Sequence, residues 1–130
     1  MKTYRIESKR RFGELYNFAL QYHEWKREID AFSPMASPNM DGMPHNPTPS
    51  SSVERQAIRC ADLQSKINLV ESCAKASAAD EKLQKAVLMG VTTENCTFNY
   101  LKTRGILLYE RDAYYIARRK FYWLLDQKLQ

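Results

Sequence analysis

The sequence is poor in the residues that build the commonest catalytic and metal sites. It has two histidines, His23 and His45, and three cysteines, Cys60, Cys73 and Cys96. No cysteine pair has C-x-x-C spacing, and neither histidine has Cys or carboxylate neighbours at ligand spacing, so a zinc ribbon is excluded. The odd cysteine count argues against a disulfide framework and for reduced, mostly buried thiols. There are only four glycines, and no Gly-rich run that could cradle a phosphate. Asp80 and Glu81 are adjacent and so diverge on a helix, which suits a helix start better than acid–base work. No Ser/His/Asp or Cys/His arrangement is suggested. These absences argue against an enzyme, and no metal or cofactor is expected.

Long apolar runs are missing too. No stretch of about 18 apolar residues could span a bilayer, and no apolar core follows the basic N-terminus "MKTYRIESKRRFGELY". A cytoplasmic protein with no membrane partner is expected. Strand signals are also weak: Ile106-Leu107-Leu108-Tyr109 is apolar but too short to anchor a sheet. All five prolines fall within "SPMASPNMDGMPHNPTPSSS", residues 33–52, which reads as a flexible or partly extended linker.

What remains is helical, and the expected fold class is all-α. A first helix is expected over Ser8–Ala31, within a 1–32 segment. Leu15, Phe18, Tyr22, Trp25, Ile29 and Phe32 recur with a 3-4-3-4-3 spacing, an a/d stripe that marks a partner or dimer seam. Gly13 weakens its first turn by about 1 kcal/mol relative to Ala. A second long helix is expected over Val53–Lys75, within a 53–76 segment, started by a Ser51–Glu54 capping box. Val53, Cys60, Ile67 and Ala74 form one of its seam rows, and Gln56, Leu63, Val70 and Ser77 the other. The two helices form a coiled-coil-like hairpin within the chain, or a seam between two chains of a homodimer.

Residues 77–130 carry a different pattern. "SAADEKLQKAVLMG" reads as a short helix capped near Ser77 and ended by Gly90. "VTTENCTFNYLKTRG" reads as another, capped by Thr92 or Thr93 and stopped by Gly105. A longer helix runs from about Glu110 to Lys128. Leu83, Val87, Leu88, Phe98, Tyr100 and Leu101 are expected to face the core, with Ile106 and Leu108 as hydrophobes of the turn. Two short helices and a turn before a longer basic helix follow the plan of a helix-turn-helix unit.

The net charge of +5 is unevenly spread: residues 1–30 carry +2, residues 31–100 carry −1, and residues 101–130 carry +4. The last helix concentrates that excess. Its inner stripe is Tyr114, Ala117, Phe121, Leu124 and Leu125, with Lys128 next. Its outer face is Arg111, Tyr115, Arg118, Arg119, Tyr122 and Gln127. Arginine forks and tyrosine hydroxyls suit phosphate, and arginine also suits a guanine edge. A charged helix face is also commonly just solvated.

"TFNYLKTRGILLYERDAYYIARRKFYWLLDQKL", Thr97–Leu129, resembles the C-terminal part of small phage- and prophage-encoded proteins. The shared elements are Arg111-Asp112, Tyr114-Tyr115, Arg118-Arg119-Lys120-Phe121-Tyr122 and Leu124-Leu125. "WKREIDAF" and the Ser33-Pro34 and Gly42-Met43-Pro44 pieces of the linker fit the front half. Such chains are similar to RinA/ArpU-type phage transcriptional regulators, whose C-terminal unit resembles the promoter-reading helix-turn-helix of sigma factors. The resemblance implies a double-stranded DNA partner, contact with host RNA polymerase, and DNA-contacting roles for Arg111, Tyr115, Arg118, Arg119 and Lys120. Glu110 stands where a good N-cap would be. Two other functions fit the residues: a structural or adaptor protein that binds protein through its aromatic stripe, and a small terminase-like DNA-packaging component.

Overall fold

The computed structural model describes residues 4–32, 51–105 and 110–130, and the side chain of Ser51 is outside that description. Residues 33–50 of the expected linker, with His45, and Ile106 and Leu108 lie outside it as well, while Ser51 and Ser52 of that linker belong to a helix. Among the described residues all regular structure is helical, with no strand. The helices are α1 (Lys9–Leu20), α2 (Tyr22–Ala31), α3 (Ser51–Ser77), α4 (Glu81–Thr92), α5 (Phe98–Thr103) and α6 (Arg111–Leu129).

The chain enters α1 through an extended arm, residues 4–8. Ser8 closes the first turn of α1 by accepting a hydrogen bond from the Arg11 N–H at 3.2 Å. The first expected helix is not continuous. It breaks at Gln21, whose N–H bonds back only three residues, to the Phe18 carbonyl at 3.2 Å. Neither proline nor glycine stands there to cause the break. Its cause is that the two halves bury their stripes on different partners: α2 packs on α3, whereas α1 packs on α4 and α6. Each half is pinned separately. The Tyr22 hydroxyl donates to the Glu71 carboxylate on α3, and Arg11 meets Asp126 on α6 at 2.6 Å. A helical hairpin is therefore present for α2 and α3, and α1 leaves it.

α3 begins by Ser51, two residues before its expected start, and is asymmetric along its length. Residues 52–59 are exposed, including Val53 and Ile58. From Leu63 onward its inner positions are buried: Leu63, Ile67, Val70, Cys73, Ala74 and Ser77. The expected heptad rows hold only over this second half, because Gln56 is exposed and Cys60 only half-buried.

Asp80, not Ser77, is the N-cap of α4, and Glu81 occupies its first turn. The helix does not end at Gly90. It runs to Thr92, and Gly90 is buried where α6 crosses. A Cβ at Gly90 would overlap the Tyr114 hydroxyl, so this glycine permits a close approach and does not stop a helix. Asn95, with φ +61, turns the chain. Thr97, not Thr92 or Thr93, caps α5 by accepting from the Tyr100 N–H at 3.1 Å. Phe98 and Leu101 are buried as expected, but Tyr100 is exposed, with the Arg104 guanidinium 5.1 Å from its ring centre. Gly105 ends the α5 region with φ +72, a left-handed conformation that favours glycine.

α6 lies within one residue of its expected bounds. It packs on α3, α4 and α1, burying Tyr114, Ala117, Phe121, Tyr122 and Leu125. Tyr122 was expected on the outer face but is 1% exposed. The reason is α1, whose Phe12 ring meets the Tyr122 ring edge-on at 4.9 Å and closes a second side of the helix. Lys128 is exposed and Leu124 half-buried, so the inner stripe is narrower at its C-terminal end than its spacing suggests. The buried side chains of α1 to α6 form one contiguous core.

Candidate nucleic-acid interface

Arg111, Tyr115, Arg118 and Arg119 share one face of α6, by helical spacing. Each cation that follows rests on an aromatic ring. The Arg111 guanidinium is 5.5 Å from the Tyr115 ring centre, and that of Arg118 is 5.2 Å from Tyr122. Lys120 is turned away from that face by its helical position. Its Nζ sits 5.4 Å above the ring of Tyr4, on the N-terminal arm. Tyr4 in turn meets Trp123 edge-on at 5.3 Å. Of the five positions expected to touch DNA, Arg111 and Arg119 are exposed, and Tyr115, Arg118 and Lys120 are half-buried.

The arm adds residues that the sequence reading missed. Tyr4, Arg5 and Ile6 lie against Phe12 of α1 and against Tyr115, Arg118, Arg119 and Tyr122 of α6, lining a cleft of about 250 Å³. The cleft is lined by three arginines and, among the described residues, by no carboxylate. Among the described residues none of the three forms an ion pair. Asp126 of α6 is paired with Arg11 at 2.6 Å. No sequence signal joins Arg5 to Arg118 across more than 100 positions. The only hint was the +2 charge of the first 30 residues.

Burial sets the chemistry of the tyrosines beneath this face. Tyr114 and Tyr122 are both pushed up to about 12 by desolvation, which the positive charge of Arg118 partly counters. Both phenols are thus protonated donors at neutral pH. Both hydroxyls are buried and, among the described residues, meet no hydrogen-bond partner of good geometry, although Arg118 lies close enough to the Tyr122 hydroxyl to lower its pKa. A second hollow of about 250 Å³ lies on the other side of Arg118, between Tyr16, Gly90, Cys96, Phe98 and Tyr114. Phe98 stands 6.1 and 6.3 Å from the rings of Tyr114 and Tyr115, tying α5 to the start of α6. Glu110 is the N-cap of α6 and makes no side-chain capping bond, in line with its poor match to a cap residue.

The aromatic stripe of the first expected helix is largely spent inside the chain. Leu15, Tyr22 and Trp25 are buried, Phe18 and Ile29 are partly buried against the same core, and Phe32 is 37% exposed. Phe18 and Trp25 meet edge-on at 5.0 Å.

His23 is exposed, and desolvation lowers its pKa, with help from Lys26 and Arg27. Cys73 is buried and its thiol is pushed up to about 11 by desolvation, so it is unreactive at neutral pH. Among the described residues no group of three or more His, Cys, Asp and Glu could hold a metal ion, and no helix is long and apolar enough to cross a membrane. Comparison of the chain with protein-family models, with curated proteins and with solved structures gave no match in any of the three.

Proposed function

We propose that this protein binds double-stranded DNA through the basic face shared by α6 and the N-terminal arm, acting as a phage- or prophage-type transcriptional regulator. One observation carries the reading. Arg5, Arg118 and Arg119 converge without a carboxylate partner among the described residues, beside the phenols of Tyr115 and Tyr122. Three like charges held together are unfavourable unless something anionic meets them, and a phosphate backbone does so. In this reading α4 and α5 precede α6 as the first helices of a helix-turn-helix, and Arg111 and Arg119 reach outward from α6. Arg118 rests on a ring and contacts backbone oxygens, the arm adds Arg5, and Lys120, turned away from this face, holds the arm through Tyr4. Host RNA polymerase and a second copy of the chain are further partners on this reading.

The test is fluorescence anisotropy with a random 30-base-pair duplex at several salt concentrations. Affinity should fall linearly on a log–log plot, with a slope of about −0.9 for each phosphate neutralised. Arg118→Ala with Arg119→Ala should weaken binding on any sequence and flatten that slope by about two. If no binding appears at low salt, the proposal fails.

A further inference from the structure

The cleft between the arm and α6 has a chemistry that a duplex backbone alone does not use. Besides the three arginines it is walled by aromatic rings: Phe12 and Tyr122, which meet at 4.9 Å, and Tyr115. The rings are fixed before any ligand arrives. Phe12 also stacks on Tyr16 at 6.2 Å, and Tyr122 is 1% exposed. The arm is pinned at Tyr4 between Lys120 and Trp123. Arg118 is steadied over the Tyr122 ring at 5.2 Å.

The geometry points to a site for a nucleoside phosphate, with the base held among the aromatic rings and the phosphate held by Arg5, Arg118 and Arg119. A volume of about 250 Å³ is more room than a lone phosphate fills and far less than a duplex needs. Planar rings and guanidinium forks are the two groups that recognise a base and its phosphate together. The nucleotide can come from two sources: a free nucleotide, or an unpaired nucleotide at the end of a strand. This inference does not depend on duplex binding.

Calorimetry on the full chain tests it with five probes: dAMP, inorganic phosphate, deoxyadenosine, a blunt duplex, and the same duplex with a three-nucleotide overhang. dAMP should bind at least tenfold tighter than phosphate or deoxyadenosine. Tyr115→Ala and Arg118→Ala should each weaken dAMP at least tenfold. Arg5→Ala, on the extended arm, should do the same with an unchanged melting curve. Arg59→Ala, an equal loss of charge on the far side of the fold, should leave dAMP binding unchanged.

An overhang that binds tenfold tighter than the blunt duplex, and that dAMP displaces, assigns the site to strand ends. dAMP binding with no advantage for the overhang assigns it to a free nucleotide. Phosphate binding as tightly as dAMP, or Arg59→Ala weakening dAMP as much as Arg118→Ala, would overturn the site. Blunt-duplex binding without dAMP binding sinks this inference alone. dAMP binding without duplex binding sinks the regulator reading alone.

Discussion

The two ends of this helical bundle hold their arginines differently. Where α2 meets α3, Arg59 pairs with Glu28 at 2.6 Å, while Lys26 rests over the Tyr22 ring and Lys66 over the Trp25 ring. Where the arm meets α6, Arg5, Arg118 and Arg119 line a cleft with aromatic side chains, and among the described residues none of the three forms an ion pair. At the first end the arginine meets a carboxylate, and at the second Arg118 is held over the Tyr122 ring at 5.2 Å. Aromatic support orders a guanidinium without neutralising it, so the charge stays available for an anion.

The largest expected effect removes the platform under the basic end. Phe121 is fully buried beneath α6, so Phe121→Ala should cost about 3–5 kcal/mol in urea unfolding. Ile116 on the same helix is 54% exposed, and Ile116→Ala should change stability by less than about 0.5 kcal/mol. Comparable losses at both positions would show that α6 does not bury the face described.

The next effect is alkaline. Tyr114 and Tyr122 have folded-state values raised from 10.0 to about 12, so their contribution is fully present below the unfolded value of 10.0. It is lost as the pH rises through 12. A rise of that size corresponds to about 3 kcal/mol per tyrosine if fully realised. Absorbance at 295 nm should show two phenols that ionise only as the protein unfolds. If all eight tyrosines titrate near 10 while the far-ultraviolet dichroism is intact, the buried pair is wrongly placed.

Third is the crossing of α4 and α6. Gly90→Ala should destabilise by about 1–3 kcal/mol, because its methyl group meets the Tyr114 hydroxyl. Adding Tyr114→Phe removes the overlapping oxygen and should restore part of the loss. Two costs that simply add would show that the helices do not cross there.

The smallest effects address the comparison of the two ends directly. Arg59 lowers the Glu28 pKa, so this pair stabilises the fold above the ordinary carboxylate value and loses that contribution as the pH falls below it, through the lowered folded-state value. Glu28→Gln should lower the melting temperature slightly at low salt and not at high salt. Arg119→Gln should do the reverse, leaving the melting temperature unchanged or slightly raised at low salt. Equal signs at the two positions would erase the distinction between the ends.

The last helix was legible because its apolar spacing is long and its inner residues are large. Tyr114, Ala117, Phe121 and Leu125 mark it to within a residue at either end. Gly105 was legible for a local reason, since a left-handed turn selects glycine whatever the rest of the fold does. Gly90 shows the limit of that logic. The same residue type serves a helix stop in one place and a helix crossing in another, and the difference lies in Tyr114, some two dozen residues away. Tyr122 shows it too. One helix read alone has an inside and an outside, but α6 is covered by α1 as well as by α3 and α4.

By itself the sequence determined the all-helical class, the last helix and its basic, tyrosine-bearing character, because these depend on spacing and charge within a few turns. The tertiary structure decided the break at Gln21, the burial of Tyr122 and the meeting of Arg5 with Arg118 and Arg119. Each of these depends on which distant surface a segment packs against, and residue spacing along one helix does not encode its partner.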